Sequence, residues 1–329
     1  MKYVKTINRI LKPKITEQAV VLDLFAGCGG LSLGFEAAGY KTIGFEMNTD
    51  AAATYNKNLK GECFTVKLGS DYKYPKADII IGGPPCQPFS VGGKQKGIDD
   101  TRNGFPIFID AIKQVKPKVF LFENVRGLLY ANKWYFEIVL EQLKSLGYTI
   151  EFKLLNAVQY GVPQNRERLF VIGHKSAFSF PEPDKVKTVV GEAIGDLMSE
   201  TPPESKFLNA AQDAYIAKYE KASDCVNPRD LYADRPARTL TCRNLAGATG
   251  DMQRVRLPDG RRRRLLIKEA ARLQSFPDWF EFSGQETSQF NQIGNAVPPL
   301  LAYKIALELK NCFNLKSKTK SKVKQEEAA

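Results

Sequence analysis

The chain has 329 residues, is 43% hydrophobic and 26% charged, and carries a formal net charge of +12. These values suit one large or two moderate globular domains, and the lack of any apolar run near ~20 residues excludes a membrane-spanning helix. Six cysteines without a Cys-x-x-Cys pair and the single histidine, His174, exclude a zinc site on ligand supply and argue against a disulfide framework.

The basic balance predicts a polyanionic partner, because lysines and arginines that neutralise phosphates release counterions; the plainer alternative is a solubilising surface. Met1 to Gln18 is basic and mixed, with no apolar signal core, so a cytoplasmic protein is expected. Val20 to Phe25 then reads as a buried strand interrupted by Asp23. Leu31, Phe35 and Ala38 follow at helical spacing, closed by Gly39. Thr42 to Glu46 reads as a second strand, Ala77 to Ile81 as a third and Val119 to Phe122 as a fourth. Ile107, Phe108, Ala111, Ile112 and Val115 make one helix face; Phe136, Val139, Leu140 and Leu143 make another. Leu169 to Ile172 reads as a late strand. This alternation predicts an α/β fold, a parallel sheet with helices on both faces.

From about Phe178 the rhythm is lost. Pro181, Pro183, Pro202 and Pro203 punctuate the chain and arginines become dense. The expected organisation is a catalytic and cofactor-binding domain over 1–180 and a smaller, irregular domain over 181–289. A C-terminal helical segment over 290–313 returns to the first domain, and a disordered basic tail covers 314–329, where Lys316, Lys318, Lys320, Lys322 and Lys324 alternate with small or polar residues.

Asp23-Leu24-Phe25-Ala26-Gly27-Cys28-Gly29-Gly30 ends a strand and opens a helix, a turn whose glycines let a ligand approach the backbone. Glu46 ends the next strand, where an acid can accept both hydroxyls of a ribose. The dinucleotide fingerprint wants a further glycine at the position of Ser32, so this loop suits a nucleoside without a pyrophosphate better than NAD. Gly82-Gly83-Pro84-Pro85-Cys86-Gln87-Pro88 follows a buried strand, with three prolines stiffening the backbone around one cysteine. Buried lone cysteines are usually packing residues. A thiol held in a rigid loop beyond the carboxyl end of a strand is a candidate nucleophile. Glu123 closes the next strand, where partial desolvation would favour a proton-carrying carboxyl group. Arg166 and Arg168 precede the late strand; Arg168, nearer the apolar run, is the one expected to enter the site as a fixed cation, and Arg166 suits a structural ion pair.

Together these blocks resemble the cytosine-C5 DNA methyltransferase family over nearly the whole chain and in the family's motif order. They are Asp23 to Gly30, Gly83 to Gln87, Glu123-Asn124-Val125, Gln164 to Arg168 and Gly294-Asn295-Ala296-Val297-Pro298-Pro299. Size and layout look like the compact enzymes of bacterial restriction–modification systems. The resemblance implies a Rossmann-like S-adenosylmethionine-dependent methyltransferase sheet with a smaller target-recognition domain. It implies a catalytic set of Cys86, Glu123, Arg166 and Arg168, with Cys86 adding to C6 of a flipped-out cytosine, Glu123 at N3 and Arg168 at O2. S-adenosylmethionine would be held by Asp23, Phe25, Ala26, Gly27, Gly29, Gly30, Glu46, Met47, Asp71, Pro85, Asn295 and Ala296. Duplex DNA would meet Gln87, Ser90, Arg238, Thr239, Arg243, Arg254 and Arg256, some of them reading guanines or phosphates and others merely solvated. No metal and no membrane are implied; a monomer associated with the bacterial nucleoid is expected, with a cognate restriction endonuclease as a possible partner. Leu266 and Lys268 stand where the family pattern carries Thr and Arg.

Three other readings compete. A transfer-RNA cytosine methyltransferase of the same fold carries Cys-Phe-Thr after the arginine block, whereas Cys63-Phe64-Thr65 lies far upstream here and reads as coincidence. An inactive DNA-binding relative would lack catalytic residues that are all present. An NAD oxidoreductase would need the complete dinucleotide turn.

Overall fold

The computed structural model describes residues 1–85, 103–225, 228–247 and 250–310. Its centre is a seven-stranded sheet. The strands, in chain order, are Val20–Leu24 (β1), Lys41–Glu46 (β2), Glu62–Thr65 (β3), Ile79–Gly82 (β4), Val119–Val125 (β5), Thr149–Asn156 (β6) and Glu167–His174 (β7). Their spatial order is β3-β2-β1-β4-β5-β7-β6. The chain runs outward from β1 on one side and from β4 on the other, so a crevice opens between their carboxyl ends, where ligands of open α/β sheets bind.

Both faces of the central strands are covered. Val21, Ile79, Ile81, Val119, Leu121, Phe170 and Ile172 enter one apolar core; Leu22, Ile80, Phe120, Phe122, Leu169 and Val171 enter the other. This two-sided burial is why these strands read as continuous apolar runs. The second core is completed by the helices Phe105–Val115 and Lys133–Ser145. The first is completed by Gly30–Ala38, by Phe276, Phe280 and Ile293, and by a helix over 299–310. That last helix buries Leu301, Ala302, Ile305, Ala306 and Leu309 in the first core, with Ala302 directly against Gly34.

One expectation is corrected. The sheet is not wholly parallel: β7 runs antiparallel to both β5 and β6. The strand–helix alternation that predicts parallel order stops before β7, which follows β6 through residues 157–166, a connection with one short 3-10 helix, Ala157–Tyr160, rather than a crossover α-helix. Two edge strands were also not read from sequence. β3 is short, and β6 is mostly exposed or half-buried with only Leu155 buried, a weaker signal than the buried central runs. The N-terminal stretch holds a further helix, Lys2–Ile10, whose Tyr3, Val4 and Ile7 are buried beneath an exposed basic face.

Between residues 181 and 265 the regular elements are short apart from the helix Ala210–Ala222, and include a two-stranded ribbon, Arg254–Arg256 (β8) and Arg262–Arg264 (β9). Its arginines do much of the holding. Arg254 and Arg262 share Asp230 and Glu220, and Arg263 forms an ion pair with Glu269, both side chains being fully buried. Arg254 is expected on the DNA-facing surface; it is buried instead, its charge compensated by Asp230 and Glu220. The helix Ile267–Leu273 begins at Leu266, which has no side-chain oxygen with which to cap it; Glu269 reaches back to the Leu266 N–H at 2.8 Å and so supplies half of a capping box. Residues 314–329 lie outside the described residues.

Removing one half of a buried pair leaves an uncompensated charge. Arg263→Ala should therefore lower stability by about 3–5 kcal/mol in urea denaturation, whereas Arg263→Met combined with Glu269→Leu should cost far less.

Candidate functional site

At the end of β1 the backbone turns sharply. Phe25 and Gly27 both adopt left-handed conformations, φ +60° and +55°. A non-glycine residue in that region is held there by its surroundings: the Ala26 N–H donates to the Phe45 carbonyl at 3.1 Å and the Gly27 N–H to Glu46 Oε2 at 2.8 Å. Glu46 Oε1 accepts from the Asn48 N–H at 2.8 Å. The carboxylate is thus fixed by two backbone donors, and each oxygen retains capacity for another. Met47, next to it, is 69% exposed, and Asp71 is exposed with its carboxylate accepting from the Ser70 hydroxyl.

Asp23 was expected among the cofactor ligands but lies beneath the loop, buried, accepting a 2.6 Å hydrogen bond from Ser32. Behind it, the Tyr55 hydroxyl is within 3.1 Å of Ser32 Oγ and 2.6 Å of Thr42 Oγ1, and Thr42 donates to the buried Glu36 carboxylate at 2.6 Å. This chain explains Ser32: where a dinucleotide enzyme has glycine, its hydroxyl ties the helix start to Asp23. Burial, reinforced by Glu46 and opposed by Ser32, pushes the Asp23 carboxyl up to about 7.

The C-terminal segment closes this loop from a distant part of the sequence. The helix Glu286–Asn295 brings the Gln292 carbonyl to 3.7 Å from the Cys28 thiol. Gly30 sits so close to the following turn that a side chain there would lie 2.5 Å from the Val297 carbonyl oxygen. Asn295 is exposed and Ala296 half-buried beside it.

On the other side of the crevice, β4 ends and the Pro84 carbonyl accepts from Asn124 Nδ2 at 3.0 Å; the Pro85 carbonyl accepts from the Gly104 N–H at 2.9 Å. Cys86, Gln87 and Ser90 lie outside the described residues. Asn124 was quoted in the sequence only as part of a block, and its work is to tie the prolines preceding Cys86 to β5.

Glu123 and Arg168 meet at this same edge. Arg168 Nε is 2.8 Å from Glu123 Oε1, and the two side chains are only 14% and 12% exposed. Antiparallel pairing sets Val125 opposite Arg168 and Glu123 opposite Phe170, so the two charged residues are diagonal neighbours on one face. The carboxylate is therefore half of an ion pair rather than the lone desolvated acid the sequence suggested.

Arg166, also named as catalytic, is directed elsewhere. It is buried, and its guanidinium donates to the carbonyls of Leu240 at 2.7 Å, Gly294 at 3.1 Å and Ala296 at 3.0 Å. Gln164 adds to this junction, bonding the Leu240 N–H and Gln274, which in turn donates to the Ala296 carbonyl. Thr239 donates to the Asn165 carbonyl at 2.6 Å. Gln164 and Gln274 gave no sequence signal beyond their place in recurring blocks. Of the remaining arginines, Arg243 is exposed and paired with Asp251, while Arg238 and Arg256 are exposed without an ion-pair partner among the described residues. Cys63 is buried in β3, serving the core. Among the described residues no group of three or more His, Cys, Asp or Glu could hold a metal, and no helix is long and apolar enough to cross a membrane.

The model of the C-5 cytosine-specific DNA methylase family matches residues 19–311. The Type II methyltransferase M.AplI of Arthrospira platensis is 59% identical over 305 residues, covering 91% of this chain and 88% of that one. M1.HphI of Haemophilus parahaemolyticus is 36% identical over 325 residues, covering 87% and 85%. Among solved structures, Spodoptera frugiperda DNMT2 shares the fold at a TM-score of 0.67 and 18% identity, over 90% of this chain and 99% of that one.

The buried Asp23 yields a pH prediction. With its folded value raised to about 7 against an ordinary 3.8, the folded state retains a proton that the unfolded chain has lost. The stability this group contributes is fully present below pH ~4 and falls by roughly 4 kcal/mol as pH rises through 7. Urea denaturation from pH 4.5 to 7.5 should show about 3 kcal/mol of that decline, and Asp23→Asn should flatten it by that amount; identical profiles for the two proteins would contradict the assignment.

Proposed function

The chain belongs to the C-5 cytosine-specific DNA methylases, a DNA cytosine-5 methyltransferase of restriction–modification type, and from that premise we propose that it methylates a flipped-out cytosine in a specific duplex sequence through a covalent Cys86–C6 adduct. The observation that carries the reading is the Glu123–Arg168 pair, 2.8 Å apart at the sheet edge that also bears the Gly27–Glu46 loop.

The loop fits S-adenosylmethionine. Glu46 keeps acceptor capacity for two ribose hydroxyls, Met47 presents an uncovered apolar side chain for an adenine, and the left-handed turn at Phe25–Gly27 leaves backbone accessible. Phe25, Ala26, Gly27, Gly29, Gly30, Asp71, Pro85, Asn295 and Ala296 would complete the binding surface, with Asp23 supporting it from below. When bound, S-adenosylmethionine supplies an electrophilic sulfonium methyl group.

The protein's own part is to make cytosine C5 nucleophilic. The Cys86 thiolate forms a bond to C6 and the ring electrons move toward C5, while the Glu123 carboxylate relays a proton from water to N3 and Arg168 neutralises the charge at O2. After methylation the C5 proton passes to water, the C5–H electron pair restores the C5–C6 double bond, the C6–S bond breaks with its electron pair returning to Cys86, and Glu123 takes the N3 proton back and returns it to water. Arg168 holds the Glu123 carboxyl at one fixed place throughout, and Arg166 acts behind the site by fastening the recognition region to the C-terminal segment. The target must leave the duplex to reach this edge. Residues 181–289 would read the sequence, Gln87, Ser90 and Thr239 would lie near the duplex, and the enzyme would act in the cytoplasm.

Cys86→Ala should abolish transfer of a labelled methyl group to duplex DNA while DNA binding in mobility-shift assays survives, and Glu123→Gln should slow transfer by about a hundredfold or more. Activity on transfer RNA in place of duplex DNA would overturn the substrate assignment. Arg256→Ala should weaken DNA binding and reduce the slope of log affinity against log salt by about one; an unchanged slope would remove Arg256 from the interface.

A further inference from the structure

One contact between the recognition region and the cofactor side of the molecule is a short junction at the helix Cys242–Ala246. The helix Cys242–Ala246 begins two residues after Leu240 and packs against the end of Glu286–Asn295. The two backbones touch: a side chain on Gly294 would lie 2.5 Å from the Cys242 backbone nitrogen. Arg166 fastens the same junction by bonding the carbonyls of Leu240, Gly294 and Ala296 together. The Cys242 thiol stands in the middle of it, half-buried, 3.0 Å from Asn295 Oδ1 and 3.5 Å from the Asn291 carbonyl.

We propose that Cys242 is a positioning residue for the cofactor site: its S–H holds the Asn295 side-chain oxygen and thereby presents the amide nitrogen of Asn295 to the bound nucleoside. The inference rests on the reading of Asn295 as a cofactor-binding residue. Three observations support it. With Oδ1 accepting from the thiol, Nδ2 is the group left to donate, and it has no partner among the described residues. The segment that follows Asn295 lies directly against Gly30 of the glycine loop. Burial pushes the Cys242 thiol up, against the influence of Arg166, so the group remains S–H, the form able to donate. Without the thiol the exposed Asn295 side chain gains rotamers that it must lose again on binding. Because the same thiol belongs to the recognition region, the junction places sequence reading and cofactor binding on one shared support.

The test is calorimetric titration of S-adenosylhomocysteine into the wild type, Cys242→Ala, Cys242→Ser, Asn295→Ala and the double Cys242→Ala/Asn295→Ala variant, with melting temperatures measured alongside. The loss of one hydrogen bond predicts binding about threefold to tenfold weaker in Cys242→Ala. A hydroxyl can donate in the same place, so Cys242→Ser should bind within twofold of wild type. The double variant should bind no more weakly than Asn295→Ala alone, since the thiol acts only through that side chain. Weakened binding in Asn295→Ala with unchanged binding in Cys242→Ala would overturn the role of Cys242 and leave Asn295 standing. Additive losses would overturn it also, as would equal loss in the serine and alanine variants. Unchanged binding in Asn295→Ala would overturn the reading of Asn295 itself, and the proposal with it.

Discussion

The reversed direction of β7 is the constraint on which the site depends. The strand runs from Glu167 to His174, roughly 25 Å at the usual rise per residue. In a wholly parallel sheet its first residues would lie at the edge opposite the carboxyl ends of β1, β4 and β5. Antiparallel pairing puts Arg168 across from Val125 instead and lets its guanidinium reach Glu123. A cation and a carboxylate almost excluded from water are thereby placed beside the crevice at the β1–β4 switch point, where their charges are screened least.

Arg166, two residues earlier, shows how the same short segment serves a second purpose. Its guanidinium is a hub between three pieces of chain far apart in sequence: the segment leading into β7 that carries it, the loop at Leu240, and the C-terminal segment at Gly294 and Ala296. Its two terminal nitrogens donate to carbonyl oxygens, not carboxylates, so it works as a geometric clamp. Gln164 and Gln274 extend the clamp by side-chain bonds. The first apolar core also crosses this junction, taking in Leu240 and Val255 along with Val21 and Leu31. The segment around Leu240 and Val255 is seated on the rest of the fold by a shared core and by this polar hub.

Much of the site was legible because its chemistry imposes local order. A strand that must end at a ligand, a glycine turn and an acid closing the next strand are short-range patterns, and Glu46 is where that pattern predicts, held by the Gly27 N–H. Residues whose work is long-range were misjudged for the converse reason. Asp23 reads as part of the ligand turn, yet its position on the strand puts it below the loop. Arg254 reads as one of several surface arginines, and only the proximity of Asp230 and Glu220 shows that it is interior. Asn124, Gln164 and Gln274 carry no local signature, since their partners lie in other elements of the fold.

By itself the sequence determined the α/β class, the two-sided burial of the central strands, the glycine loop with its acid and the pairing of residue types suited to cytosine chemistry. Each of these follows from periodicity or from motifs spanning a few residues. Tertiary structure alone decided the direction of β7, and with it the meeting of Arg168 and Glu123. It also decided which arginines face solvent and which are buried, and it seated Asn295 beside a loop more than 260 residues earlier in the chain. Strand direction and charge pairing depend on which segments become neighbours in the folded chain, information that local spacing does not contain.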